Sequence, residues 1–144
     1  MVNNWLNNIL FRSLTASCQL CGSLHVSRDL DLCPACYEAL PWLPAACPRC
    51  ATPIPAAQTA KTTLCGQCQQ VPPAFDSSLA VFHYQSPLDH LIQGLKFHGQ
   101  LSHARLLGTL MARHLAQWHH EIDCIIPVPL HPMRLRERGF NQAL

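Results

Sequence analysis

At 144 residues the chain has room for one ordinary domain and a mini-domain. Charged residues make up only 12 % and the formal charge is +2, so bulk basicity that would hold nucleic acid is excluded. No run approaches the roughly 20 apolar residues needed to cross a bilayer, and the start of the chain, Met-Val-Asn-Asn-Trp-Leu-Asn-Asn, lacks the basic residues of an export signal.

Residues 1–16 carry Leu6, Leu10 and Leu14 at four-residue intervals, the stripe of a short helix packing onto the rest of the protein. A membrane-surface helix would want several basic residues on its polar face, and only Arg12 is there.

Residues 17–71 hold eight of the nine cysteines as four Cys-x-x-Cys pairs: Cys18/Cys21, Cys33/Cys36, Cys47/Cys50 and Cys65/Cys68. Two such pairs supply the four soft ligands of a closed tetrahedral site, with Zn–S bonds of about 2.3 Å. Four pairs therefore imply two zinc ions, and eight thiolates with two divalent cations move the formal charge to about −2. Eleven residues separate Cys21 from Cys33 and fourteen separate Cys50 from Cys65, enough in each case for a hairpin. Gly22 follows the first pair and Gly66 lies inside the fourth, where the backbone of a metal knuckle favours positive φ. Sequential ligation, Cys18/Cys21/Cys33/Cys36 and Cys47/Cys50/Cys65/Cys68, is favoured over interleaving because Pro41 and Pro44 stiffen the connector between the two sets. Spacing alone leaves both open.

Three other uses of these cysteines compete with zinc. A disulfide framework fits an even count in a secreted scaffold, but without an export signal a reducing cytosol is the expected home. A thiol–disulfide catalyst needs one activated pair rather than four. Iron fits a four-thiolate site as readily as zinc and would be coloured. With a metal, about 50 residues this poor in apolar surface draw most of their folding energy from ligation.

Residues 72–77, opened by Pro72-Pro73, read as an extended linker. Beyond it the pattern becomes α/β. Ser78–Tyr84 reads as a strand, and Pro87 opens a helix with Leu88, Leu91, Ile92 and Leu95 on one face, ending at Gly99. A second helix from about Ser102 presents Leu107, Leu110, Met111, His114 and Trp118. Ile122–Ile126 reads as a buried strand of a parallel sheet with Cys124 as a small core residue. Pro127, Pro129 and Pro132 then force a loop, and loops at the carboxyl ends of such strands bind ligands. Arg134, Arg136 and Arg138 follow, suited to an anion such as phosphate or pyrophosphate, or else to the charged first turn of a surface helix. Eight of the nine histidines fall between His83 and His131 without an i, i+4 pair and read as solvated or satisfied.

Leu95-Lys96-Phe97-His98-Gly99, Leu107-Gly108 and the run from Pro127-Val128-Pro129-Leu130-His131-Pro132 to Arg138-Gly139-Phe140-Asn141-Gln142 resemble the ComF/GntX family of bacterial competence and DNA-utilisation proteins. The cysteine region is similar to the double zinc ribbon of that family. The resemblance implies zinc-ribbon modules followed, over 78–144, by the N-terminal part of an α/β phosphoribosyltransferase-like domain with a parallel sheet. It implies a pyrophosphate or other anion site at Pro129, His131, Arg134, Arg136 and Arg138. The family's 5-phosphate cradle, an acidic pair before a Thr/Gly-rich loop, has no counterpart in these residues, and Leu144 falls inside an expected helix. Whether the chain is an enzyme is thus left open. A truncated, inactive, cytoplasmic form is expected, with phosphoribosyl pyrophosphate bound only by a full-length form. Ile122, Ile125 and Ile126 would lack their cover and promote aggregation. The implied partners are DNA-uptake machinery or single-stranded DNA. A rival reading is a zinc-ribbon adaptor for protein or single-stranded nucleic acid, thinly supported by Tyr37, Trp42 and four basic residues in the first 75.

Overall fold

Two Cys-x-x-Cys segments each open a helix of a single turn or so, because the first cysteine is held extended while its carbonyl already accepts the first helical bond. Cys33 (φ −76°, ψ 158°) precedes α1, Pro34–Glu38, and Cys65 (φ −66°, ψ 158°) precedes α2, Gly66–Gln70. Pro34 occupies a first-turn position, where a missing N–H loses nothing. The computed structural model describes residues 17–27, 29–55, 63–116 and 123–144, so the expected helix over 1–16 lies outside the described residues. The described residues fall into two compact units, one drawn from Met1–Ala39 with His90–Leu144 and the other from Leu40–Asp89.

The helical part follows the sequence closely at its ends. α3 runs Leu88–His98, with Asp89 in its first turn and Lys96 and His98 in its last, the charge order that suits the helix dipole. Gly99 stops it with φ +63°, a conformation that a Cβ disfavours. Leu88, Leu91 and Leu95 are buried and Ile92 is half-buried, as the periodicity requires.

α4, Leu101–Leu115, buries a different stripe from the expected one: His103, Leu106 and Leu110. Of the expected face only Leu110 is buried; Leu107 and His114 are half-buried, Met111 is exposed, and Trp118 lies outside the described residues. The cause is a close crossing with α3. A Cβ on Gly94 would come within 2.6 Å of His103 Nδ1, and that nitrogen donates to the Leu91 carbonyl at 3.0 Å. Once His103 is at the crossing, helical periodicity carries Leu106 and Leu110 inward with it.

In the second unit the expected strand Ser78–Tyr84 shrinks to a single antiparallel bridge between Trp42 and Phe82. Leu43 N–H donates to the Val81 carbonyl at 3.0 Å and His83 N–H to the Pro41 carbonyl at 2.8 Å. The Trp42 and Phe82 rings pack in a tilted pair, centroids 4.7 Å apart and planes at 41°. The ladder stops there because its partner segment contains Pro41 and Pro44, which have no N–H to donate. The 72–77 stretch is irregular, and Arg49 Nη2 donates to the Pro73 carbonyl at 3.2 Å.

The strand expected at Ile122–Ile126 is not formed over the described part, Asp123–Ile126. Ile125 and Ile126 are 86 % and 80 % exposed, and Cys124 is exposed rather than in a core. Among the described residues no segment pairs with this stretch, and a strand without ladder partners is not a strand. No strand is formed among the described residues, only isolated bridges. The proline-rich loop does follow, and α5, Pro132–Arg138, begins on Pro132 and ends at Gly139 with φ +77°. The helix expected to reach Leu144 therefore stops six residues earlier, at a left-handed cap that closes it.

Candidate metal centres

The first knuckle of each lobe is a tight turn in which the first cysteine is tied at both its N–H and its carbonyl. Cys18 N–H donates to the Ser23 carbonyl at 2.8 Å, and Gly22 N–H returns to the Cys18 carbonyl at 2.9 Å. Twenty-nine residues on, Cys47 N–H donates to the Thr52 carbonyl and Ala51 N–H to the Cys47 carbonyl, both at 2.8 Å. The residue after the second cysteine takes positive φ in both, +74° at Gly22 and +59° at Ala51. The sequence reading located this demand at Gly22 but assigned its second instance to Gly66, which is the first residue of α2. Offset from Cys47 would have found Ala51; residue type could not.

The four ligands from each lobe converge. Cys18, Cys21, Cys33 and Cys36 form one group and Cys47, Cys50, Cys65 and Cys68 the other, with all sulfurs of a group within 4.8 Å of one another. The grouping is the sequential one. A tetrahedral ion with bonds of about 2.3 Å sets its ligand sulfurs about 3.8 Å apart; Cys21–Cys33 is 3.7 Å and Cys50–Cys65 is 3.6 Å. A disulfide would require about 2.05 Å, and all nine cysteines are free, which removes the disulfide framework. Two four-sulfur groups of this size fit two zinc ions with no open coordination position.

The electrostatics repeat at the first and last cysteine of each group. Burial pushes the Cys18 thiol up, but backbone N–H groups of Cys33, Cys21 and Leu20 outweigh it and hold it at about 6. At Cys47 the Cys65 N–H, 3.4 Å from the sulfur, is the largest influence and again brings the thiol to about 6 despite burial. Cys50 is lowered, chiefly by Thr52, whose Oγ1 lies 3.1 Å away. The last cysteine of each group goes the other way. Burial, followed by the neighbouring sulfurs, raises Cys36 strongly and Cys68 to about 12. Cys21 is also raised: the Ser23 N–H favours its thiolate, but the Cys18 and Cys33 sulfurs oppose it. Each group thus holds a ready thiolate at its first position, and crowding keeps a proton on its last until a cation arrives.

The anion candidates do not converge in the same way. Pro129 and His131 are exposed, and His131 Nδ1 accepts the Met133 N–H at 3.3 Å as the cap of α5. Arg134 pairs with Glu137 at 2.9 Å. Arg138 donates to Gln142 Oε1 at 2.9 Å and lies over the Phe97 ring, 5.4 Å from its centroid. Arg136 points away from both, since alternate positions on a helix lie about 200° apart. Asn141 Nδ2 donates to the Val128 carbonyl at 3.0 Å and fastens the turn after α5 to the loop before it.

Comparison with known proteins agrees with this geometry. Residues 9–69 match the double zinc ribbon domain family. Competence protein F of Haemophilus influenzae is 33 % identical over 127 residues, 85 % of this chain and 53 % of that protein. DNA utilization protein YhgH of Escherichia coli K12 is 33 % identical over 132 residues, and that of Salmonella typhimurium 30 % over 131, each covering 88 % of this chain and 56 % of the relative. The chain therefore spans about half the length of the curated relatives it matches. No solved structure matches it.

Proposed function

We propose that this chain, which is 30–33 % identical over most of its length to competence protein F and the DNA utilization proteins, serves the uptake or use of external DNA. Its two zinc ions act as structural crosslinks. The observation that carries this reading is the extent of the similarity, which covers 85–88 % of the chain and so runs well past residue 69, where the zinc-ribbon match ends. A match of that extent reaches beyond the zinc-ribbon region into the helical part of the chain, and the relatives are named for competence or DNA use. Zinc, when bound, supplies a closed four-thiolate crosslink; it has no free position for water or substrate and no part in chemistry. A reducing cytoplasm suits eight free thiols, and no described helix is long and apolar enough to cross a membrane.

Residues 78–144 are proposed as the front of a phosphoribosyltransferase-like domain. Support comes from Ile125, Ile126 and Val128, whose exposure suits a strand that pairs in a fuller sheet, and from the loop at Pro127–His131 that follows it. Transfer of a phosphoribosyl group is not expected from these 144 residues. They contain no acidic pair before a Thr/Gly loop, and Arg134 and Arg138 already have partners. Calorimetry should find no saturable binding of phosphoribosyl pyrophosphate below millimolar concentration; micromolar binding would reverse this view.

The test of the main reading is growth of a strain lacking the protein, supplied with double-stranded DNA or with free nucleosides as carbon source. Loss of growth on DNA alone is expected, restored by the intact gene and not by one carrying Cys36→Ser with Cys68→Ser. Equal growth on DNA with and without the protein would refute it. The adaptor reading loses support at Trp42, whose ring is packed against Phe82. Titration with single-stranded DNA at two salt concentrations should therefore give only weak binding.

A further inference from the structure

The two metal lobes are wired alike but built into different units. Cys18–Cys36 shares its compact unit with α4, whereas Cys47–Cys68 shares its own with the Trp42–Phe82 bridge. A lobe of about 20 residues has no interior of its own, yet Leu30 and Leu32, beside the ligand Cys33, are 7 % and 2 % exposed. The same unit also buries Leu91, Leu106 and Leu110. Two contacts join the lobe to α4, and a groove lies beside them. Ser102 Oγ donates to Gln19 Oε1 at 2.9 Å, inside the first Cys-x-x-Cys turn. Arg113 reaches Asp29 at 4.0 Å. A groove of about 260 Å³ is walled by Leu30, Leu32, Pro34 and Tyr37 on the lobe side and Arg113 on the helix side.

We propose that the first metal centre is the platform of α4, so that occupancy of that site alone controls whether the helix is docked. The second metal governs the Trp42–Phe82 pairing instead. The inference rests on the metal centres and not on any role in DNA use, so it survives or fails independently of that reading. Metal supply or competition for metal would then act on the helical part of the protein through the first site. The two contacts that place Gln19 and Asp29 against α4 flank the ligands: Gln19 follows Cys18, and its N–H donates to the Asp31 carbonyl at 2.8 Å, closing the lobe on itself. Without a cation, four crowded sulfurs no longer hold the two knuckles together, and the surface that receives Ser102 and Arg113 is lost.

Amide exchange on the full chain loaded with zinc tests this, comparing Cys36→Ser with Cys68→Ser. Cys36→Ser should accelerate exchange at Leu106 and Leu110 on the order of 100-fold while leaving Leu43 and His83 nearly unchanged; Cys68→Ser should do the reverse. Equal protection of α4 in Cys36→Ser and the parent, or equal loosening of α4 by both variants, would overturn the proposal. A second measurement covers global unfolding of Cys36→Ser. In a Cys65→Ser/Cys68→Ser background, where only the first site keeps four thiolates, Ser102→Ala with Arg113→Ala should weaken equilibrium zinc binding, measured by competition with a chromophoric chelator, by about two- to fivefold, because coupling between helix and metal must be reciprocal. Unchanged affinity would overturn it.

Discussion

Cys18–Cys36 and Cys47–Cys68 use the same turn, the same extended cysteine before a short helix and the same contrast between an acidified first thiol and a raised last one, yet they differ where the backbone is most demanding. The first places Gly22 at φ +74°, and the second places Ala51 at φ +59°. The difference teaches that ligation, not residue propensity, fixes the knuckle. An alanine in the left-handed region carries roughly 1–2 kcal/mol of strain, small beside the apparent 10–16 kcal/mol that structural zinc contributes in small zinc-binding peptides. A strong crosslink tolerates a poor local choice.

Removing the metals is the largest blow to both lobes. A strong chelator should abolish the folded signal of residues 17–71, followed by circular dichroism, and readdition of zinc should restore it; a spectrum unchanged after complete metal removal would break the comparison at its root. Next in size is Leu106→Ala, which empties a site 2 % exposed in the first unit. It should destabilise that unit by about 2–5 kcal/mol, read by denaturant titration, and should leave the amide protection of Leu43 and His83 intact. Smaller still is the glycine exchange. Gly22→Ala should lose about 1 kcal/mol, whereas Ala51→Gly should gain a few tenths to about 1 kcal/mol as strain is relieved. The two substitutions should move the thermal midpoint in opposite directions, and movement in the same direction would mean that the knuckles are not equivalent.

The effect of pH should be common to the two lobes. Cys18 and Cys47 lie below the ordinary thiol range, at about 6, so what their thiolates contribute is complete above about 8.5 and is lost as pH falls through about 6. Cys36 and Cys68 lie above that range, with Cys68 at about 12, so both still carry a proton at neutral pH when a cation arrives. Binding of zinc must displace those protons. Apparent affinity, measured by chelator competition, should therefore fall steeply at both sites as pH drops from about 8.5 to about 6. A flat profile at either site would contradict the shared arrangement.

The ligands were legible because Cys-x-x-Cys spacing is itself the chemistry, and α3 was legible because Pro87 and Gly99 punctuate it on either side of a leucine stripe. The buried face of α4 was not. It is set by Gly94 and by His103, a polar residue that an apolar-periodicity reading discards, and their pairing lies in the crossing of two helices. Ser78–Tyr84 has the composition of a strand, but its partner contains Pro41 and Pro44, so a non-local deficit of N–H groups decided its length. Asp123–Ile126 has apolar character and no partner among the described residues, and pairing is not written in a single segment. The arginines at 134, 136 and 138 gave the right element, a helix after the proline loop, while Glu137, Gln142 and Phe97 set what two of them touch.

Metal content and thiol reactivity measured on one sample of the native chain test the central claim most directly. Two zinc ions per chain are expected, with Cys124, exposed and outside both groups, as the one thiol that reacts promptly, and the remaining eight reacting only after chelation. Fewer than one metal per chain, or disulfides among those eight cysteines, would contradict the account.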